Sequence, residues 1–335
     1  MKICMQKGKA MLYREALNKA IDEAMAADES VVVLGEDVGL YGGSYRVTEG
    51  LVAKYGEKRL IDTPIAELSI VGNAVGMAIG GLRPVAEIMT ANFALLAFDQ
   101  IINHMAKYRY MSAGKITLPM VVRFPQGVSR QLAAQHSENY EQMLAAVPGL
   151  SVFAASDVNY AYHALKYAIM SDDPIVFIEH ELLYNKKGDV DFDADVDPFK
   201  ARVIKEGNDM TIVSYLKTLD DVMEAVPKIE EKLGKSCEVI DLCSLNPVDY
   251  ATLEASLKKT SAIVVVEEDH KTGGFGAQIV SWAAEEMFYS LDAPPLRIAG
   301  ADVPIPYNRT LELASIPTAD KIAEQIIAWG EKNGL

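Results

Sequence analysis

The 335-residue sequence predicts an α/β protein built as two successive domains, and three observations carry that expectation. Short, uniformly apolar runs alternate with helix-sized amphipathic segments through the first half. An acidic stretch containing Gly and Pro breaks the alternation at 186–198, and a second α/β series follows it. At roughly 100–200 residues per domain, the length accommodates two cores.

In order along the chain, Ala16, Leu17, Ala20, Ile21, Ala24 and Met25 recur at helical spacing and make one apolar face. That face ends before Val31-Val32-Val33-Leu34, a run suited to a strand covered on both sides of a parallel sheet. Further strands are expected at 59–62, 85–89, 120–124, 152–154 and 175–179, with helices over 66–81, 94–111 and 159–170. The stretch KKGDVDFDADVDP reads as an inter-domain linker. Its Asp189, Asp191 and Asp193 imitate a calcium loop, but Ala194 and Lys200 stand where that loop needs Gly and Glu, so it fails. Strands at 210–215, 238–242, 262–267 and 296–298 then alternate with helices at 219–233, 250–257 and 277–287. The expected division is a first domain over 1–185, a linker over 186–205 and a second domain over 206–335.

Charge narrows the function classes. Against 32 basic side chains stand 47 acidic ones, a formal charge of −15 that repels phosphate and argues against non-specific nucleic-acid or anionic-membrane binding. Cys4, Cys237 and Cys243 lack a metal-ligand spacing and suit a reducing compartment, with the cytoplasm as the expected location. The longest apolar stretch, Ile70–Leu82, is shorter than the ~20 residues of a membrane span. The N-terminus shows no apolar signal-peptide core.

Common catalytic signatures fail. There is no phosphate-loop sequence, nucleophile elbow, HExxH helix or CxxC pair, and Ile279 occupies the place of the third glycine in a GxGxxG reading of Gly273–Ile279. What remains are polar residues at strand ends. Glu36 follows the Val31–Leu34 strand, and Glu67 follows Asp62-Thr63-Pro64-Ile65-Ala66 at the start of a helix. A first-turn carboxylate is also what a helix dipole favours. Gly72, Gly76 and Gly80 recur every four residues, which predicts close backbone approach by a helix of this chain or by a second subunit. His136 lies in a polar loop beyond a strand, suited to acid–base work or to a surface or capping role.

The segments GEDV, YGGSYRVTEGL, IDTPIAE, AFDQIIN, AAQHSEN, VPGL, DPIVFIEHELLY and VVVEEDHKTGGFGAQI, in this order, closely resemble the β subunits of 2-oxo acid dehydrogenase E1 components, nearest the pyruvate dehydrogenase type. The resemblance spans essentially the whole chain. It implies a transketolase-like pyrimidine-binding domain followed by a transketolase C-terminal domain, with thiamin diphosphate as cofactor. By this resemblance Glu67 matches the glutamate that hydrogen-bonds N1′ of the aminopyrimidine and stabilises its imino tautomer. Phe93 matches a residue packed near that ring, with Glu36, Ile65 and Met89 close by. His136 matches the histidine at the site entrance that is implicated in reductive acylation of the lipoyl group. Gly188-Asp189 is the only Gly-Asp, so the GDG…N diphosphate motif is missing. The resemblance therefore implies an E1 α subunit holding the diphosphate and Mg2+ in an α2β2 heterotetramer. It also implies a potassium ion on main-chain oxygens of Met120, Ala168, Ile169, Ser171 and Asp173. Expected partners are the subunit-binding and lipoyl domains of E2. Leu216, Lys217, Cys243 and Ala91 depart from the common family pattern and leave substrate choice among pyruvate, acetoin and branched-chain 2-oxo acids open. A catalytically silent scaffold subunit is the reading from a different class.

Overall fold

The computed structural model describes residues 8–128 and 130–335; Cys4 and Ser129 lie outside the described residues. Two compact units emerge, Met1–Pro125 with Val147–Pro198 and Gln126–Ala146 with Phe199–Leu335.

The first unit contains β1 (Lys9–Leu12), α1 (Tyr13–Ala27), β2 (Val31–Gly35), α2 (Leu51–Tyr55), β3 (Leu60–Asp62), α3 (Glu67–Ile79), β4 (Arg83–Glu87), α4 (Ala91–Ala94), α5 (Tyr108–Met111) and β5 (Val121–Gln126). The chain then enters the second unit for α6 (Glu141–Ala145) and returns for β6 (Ser151–Ala154), α7 (Val158–Met170), β7 (Ile175–His180) and β8 (Lys187–Val190). Its main sheet runs β6-β7-β5-β4-β2-β3, with β2 parallel to both β3 and β4, and β4 parallel to β5. Every residue of β2 is buried, as its unbroken apolar run requires. In α1, Glu15 reaches back to the Leu12 N–H at 2.8 Å, and the buried stripe Ala16, Leu17, Ala20, Ile21, Ala24 matches the predicted face.

One ion network lies inside this sheet. Arg123 on β5 is fully buried and donates through Nε and Nη2 to the two oxygens of Glu179 on β7, both at 2.6 Å. Its Nη1 donates to Glu87 on β4, while the Tyr184 hydroxyl donates to Glu179 at 2.7 Å. Glu87 and Arg123 are register partners, so the sheet itself aligns the pair.

The second unit contains β9 (Arg202–Lys205), β10 (Met210–Ser214), α8 (Lys217–Leu233), β11 (Cys237–Asp241), β12 (Ser244–Asn246), α9 (Tyr250–Thr260), β13 (Ile263–His270), α10 (Gly276–Glu286), β14 (Leu296–Gly300), α11 (Arg309–Ser315) and α12 (Ala319–Asn333). Its sheet runs β14-β13-β10-β11-β9, parallel except for the antiparallel β9 edge. Val222, Val226 and Ile229 of α8 share a core with Ile322, Ala323 and Ile326 of α12, a helix the sequence reading did not assign.

Three expectations change. The 94–111 segment is not one helix: α4 passes into a 3-10 turn at Leu95–Ala97, a π-helical stretch at Gln100–Met105 and then α5. The Ala106 N–H bonds back to Ile101 O at 3.0 Å, and the Asp99 carboxylate takes side-chain bonds from Gln100 and Asn103 at the point of change. Nor is 186–205 a plain linker. It contains β8, antiparallel to β1, and β9, antiparallel to β11, and the change of unit falls at Pro198. Finally, 126–146 does not pack as part of the first domain; its contacts assign it to the second unit.

Candidate functional site

Within the first unit, β2 lies between β4 and β3, and all three run parallel, so their carboxyl ends open to the same side. In open α/β sheets this is where ligands collect. Glu36 follows β2, Thr63–Ile65 follow β3 and lead to Glu67 at the first position of α3, and Met89 to Phe93 follow β4. The sheet order therefore brings together five of the residues singled out from the sequence. Glu36 and Glu67 are both buried, whereas Met89 and Phe93 are half-buried and Ile65 is 81 % exposed.

The two carboxyl groups feel each other. Burial pushes the Glu36 carboxyl above its usual range, and the charges of Glu67 and Asp37 add to the shift. Glu36 Oε1 is buried with no hydrogen-bond partner among the described residues, as are the Thr63 and Thr90 hydroxyl oxygens at the ends of β3 and β4. Orphaned buried polar atoms at one sheet edge are costly and call for an occupant that satisfies them. The backbone allows the approach: a Cβ on Gly35 would sit 2.6 Å from Glu87 O, so only glycine lets β2 lie so close to β4 just before Glu36.

His136 belongs to the second unit and is exposed. The surrounding loop is strained, since Arg130, Gln131 and Ala133 hold φ of 48°, 62° and 65°. Left-handed backbone costs roughly 1–2 kcal/mol per non-glycine residue, so other groups must fix it. Glu268 accepts the Val128 N–H at 2.6 Å and Asn139 Nδ2 at 3.4 Å, and the fully buried Glu312 accepts the Gln131 N–H at 2.9 Å.

Behind that loop lies a buried acidic group. Glu141 accepts from the Tyr215 hydroxyl at 2.8 Å and from Gln126 Nε2 at 2.6 Å, yet burial and the neighbouring Asp269 push its carboxyl up to about 8. Asp269 is itself raised to about 7, chiefly by burial, and its Oδ2 has no partner among the described residues. Glu141 therefore stays protonated when folded and ionises at its ordinary value of 4.5 when unfolded. Its contribution to stability is complete below that value and is lost as pH rises to about 8. Glu141→Gln should melt above the wild type at pH 8, with the gap closing toward pH 5; a pH-independent difference in melting temperature would contradict this.

Three of the five carbonyls proposed for potassium already accept hydrogen bonds. Met120 O accepts the Ile175 N–H at 3.0 Å, Ala168 O accepts the Ser171 N–H at 3.4 Å, and Ser171 O accepts Arg83 Nη1 at 2.8 Å. A guanidinium already on the Ser171 carbonyl repels a second cation there. Among the described residues, no cluster of His, Cys, Asp or Glu is arranged to hold a metal ion.

Comparison with known proteins fits this architecture. Residues 9–187 match the transketolase pyrimidine-binding domain, and residues 199–322 match the transketolase C-terminal domain. The chain is 47 % identical over 319 residues to pyruvate dehydrogenase E1 component subunit beta-1, mitochondrial, of Arabidopsis thaliana, covering 94 % of this chain and 88 % of the relative. It is 45 % identical over 313 residues to the pyruvate dehydrogenase E1 component subunit beta of Porphyra purpurea, covering 93 % and 94 %. The chain belongs to the pyruvate dehydrogenase E1 β-subunit family. Among solved structures, a split-gene transketolase described as an inactive β4 tetramer superposes with a TM-score of 0.77 at 26 % identity, covering 96 % of this chain and 98 % of that one. The two-domain transketolase-like fold of E1 β subunits is thus shared along nearly the full chain.

For this E1 β-family chain, sequence reasoning missed Gly35, Thr63, Thr90, Glu268 and Glu312. The last two act on residues more than a hundred positions away, a pairing no local pattern encodes. Among the described residues, no helix is long and apolar enough to cross a membrane.

Proposed function

We propose that this chain supplies the aminopyrimidine half of a thiamin diphosphate site that decarboxylates pyruvate and passes the acyl unit to a lipoyl group. The single observation that carries the reading is the buried Glu36–Glu67 pair at the ends of adjacent parallel strands, with an orphaned carboxyl oxygen and two orphaned hydroxyls beside it. These groups fit a heteroaromatic ring that carries ring nitrogen and an amino group. Glu67 would bond the ring nitrogen, Glu36 would offer the second polar contact, and Phe93, Met89 and Ile65 would line the ring. When bound, thiamin diphosphate supplies the nucleophilic carbon that adds to a 2-oxo acid and the electron sink that lets carbon dioxide leave. From its buried position Glu67 would hold a proton against the ring nitrogen, the proton-transfer role this chain would supply. His136 serves the later step, in which the departing lipoyl sulfur takes up a proton.

The diphosphate and its Mg2+ belong on an E1 α partner, because this sequence has no GDG motif. A surface for that partner exists on α3. Gly76 and Gly80 are exposed, a Cβ on Gly76 would meet nothing within 4 Å, and Leu68 and Ile79 flank them, about half exposed. Gly72 faces Gln100 of this chain's own helical stretch, 3.3 Å from where a Cβ would sit, so the exposed Gly76 and Gly80 are the positions left for a second subunit in an α2β2 assembly. Acidic surface then suits the basic subunit-binding domain of an E2 component, with the lipoyl domain as the mobile substrate. The buried thiols of Cys237 and Cys243 suit a reducing interior such as the cytoplasm, although several relatives are named as mitochondrial.

The isolated chain should show negligible decarboxylation of pyruvate and gain it on mixing with its α partner, with E2 association weakening as salt rises. Pyruvate should outcompete acetoin and branched-chain 2-oxo acids in the same assay. Full activity of the chain alone would overturn the half-site, and a correctly assembled but inert complex would favour a scaffold. In keeping with the first expectation, the 26 % identical structural neighbour is an inactive assembly of β chains alone.

A further inference from the structure

We infer that Glu312 and Glu268 of the second unit are positioning residues for acyl transfer, because they set the conformation of the loop that carries His136. The inference rests on the role proposed for His136 and extends it to residues outside the loop.

Three observations converge. Residues 126–146 pack with the second unit although β5, which leads into them, belongs to the sheet of the first. Arg130, Gln131 and Ala133 all adopt left-handed backbone angles without being glycine, so the loop does not hold this shape by its own preferences. Two backbone N–H groups of that loop are claimed by carboxylates of distant elements. Glu312 on α11 takes Gln131 N at 2.9 Å, and Glu268 on β13 takes Val128 N at 2.6 Å. Glu312 is fully buried and is braced by Arg309 Nη1 at 2.6 Å, while Gln131 Nε2 adds a bond to Tyr307 O at 3.2 Å. His136 N closes the turn on Ala133 O at 3.1 Å, so the anchored residues lead directly into the imidazole.

Carboxylate acceptors give the strong class of hydrogen bond, and here they take the N–H of buried Val128 and of left-handed Gln131. Acyl transfer depends on this placement. The acyl carbon brings an electron pair to one lipoyl sulfur as the S–S bond breaks, and its bond to the carrier then breaks with that pair returning to the carrier; the freed S–S pair goes to the second sulfur, which takes a proton from His136. Misplacing a proton donor by about 1 Å costs on the order of 100-fold in rate. Decarboxylation needs no proton from this loop.

The test measures, in the assembled E1, pyruvate decarboxylation with an artificial electron acceptor and acylation of a free lipoyl domain. Glu312→Ala should keep the first and lower the second by about 10- to 100-fold, as a fall in kcat with little change in KM for the lipoyl domain. Glu312→Gln retains an acceptor oxygen for the Gln131 N–H and should restore most of the loss, which a purely electrostatic role would not. Glu268→Ala should reproduce the Glu312→Ala split and decides the matter if Glu312→Ala does not fold. Equal loss of both activities, or no loss of acylation in either variant, overturns the inference. His136→Ala separates the two levels: if it acylates at the wild-type rate, the role of His136 is wrong. If it is impaired while both anchor variants are normal, only the positioning fails.

Discussion

Glu67→Gln should lower pyruvate decarboxylation in the assembled enzyme by about 10²–10⁴-fold, the range over which a positioned proton-transfer group acts. The same change should leave the protein as stable as the wild type or more so, by up to ~1 kcal/mol. The two halves of this expectation come from one geometry. Glu67 is buried beside Glu36, whose carboxyl is pushed up by burial and then by the Glu67 charge. Two neighbouring buried carboxyl groups oppose each other, and an amide in place of one relieves that opposition. A residue kept for the helix dipole behaves in the opposite way, since neutralising a first-turn carboxylate removes roughly 0.3–1 kcal/mol of favourable interaction. Steady-state kinetics and a thermal melt on the same preparation separate the readings. Retained activity with a lowered melting temperature would return Glu67 to a structural role.

Arg123→Met should be the most damaging single change to the first unit, costing about 3–5 kcal/mol. The guanidinium is the only cation in contact with Glu179 and Glu87 among the described residues, and it binds Glu179 through both oxygens. Removing it leaves two buried carboxylates in the centre of the sheet without a cation, with the Tyr184 hydroxyl the remaining donor to Glu179. For a single domain of 150–250 residues that loss corresponds to a drop in melting temperature of roughly 6–20 °C, at 2–4 °C per kcal/mol. Chemical denaturation should show the same loss of stability. A triple replacement of Arg123, Glu87 and Glu179 by apolar residues of similar volume should recover much of it, because the penalty lies in unpaired charge. Equal loss in the single and triple variants would place the cost in packing instead.

Much of the framework was legible along the chain because its signals are local. The all-apolar run of β2, the spaced apolar face of α1 and the breakers near 186–198 each reflect physics acting within a few residues, and the predicted strands overlap those found. Local signals misled where contacts took over. The 94–111 segment has helical periodicity, but Asp99 and its neighbours turn it through a π-helical stretch. The stretch after Lys186 looks like solvated linker by composition, yet Lys187–Val190 pairs with β1, a partner nearly the whole unit away in sequence.

The candidate site residues divide in the same way. Glu36, Glu67 and His136 stand in recognisable short motifs, GEDV, IDTPIAE and AAQHSEN, so their identities, and with them the family, could be read from the sequence. Glu36 and Glu67 lie on different connections, and what makes them a pair is the order β4-β2-β3, which the folded sheet alone supplies. Their shared burial, and the repulsion that raises Glu36, exist only once that sheet forms. Likewise the sequence places a histidine after a polar loop, but carboxylates from α11 and β13 hold that loop. Sequence determined which side chains this protein has for its chemistry. Tertiary structure decided which of them meet, because proximity and desolvation are properties of the folded chain and not of any segment of it.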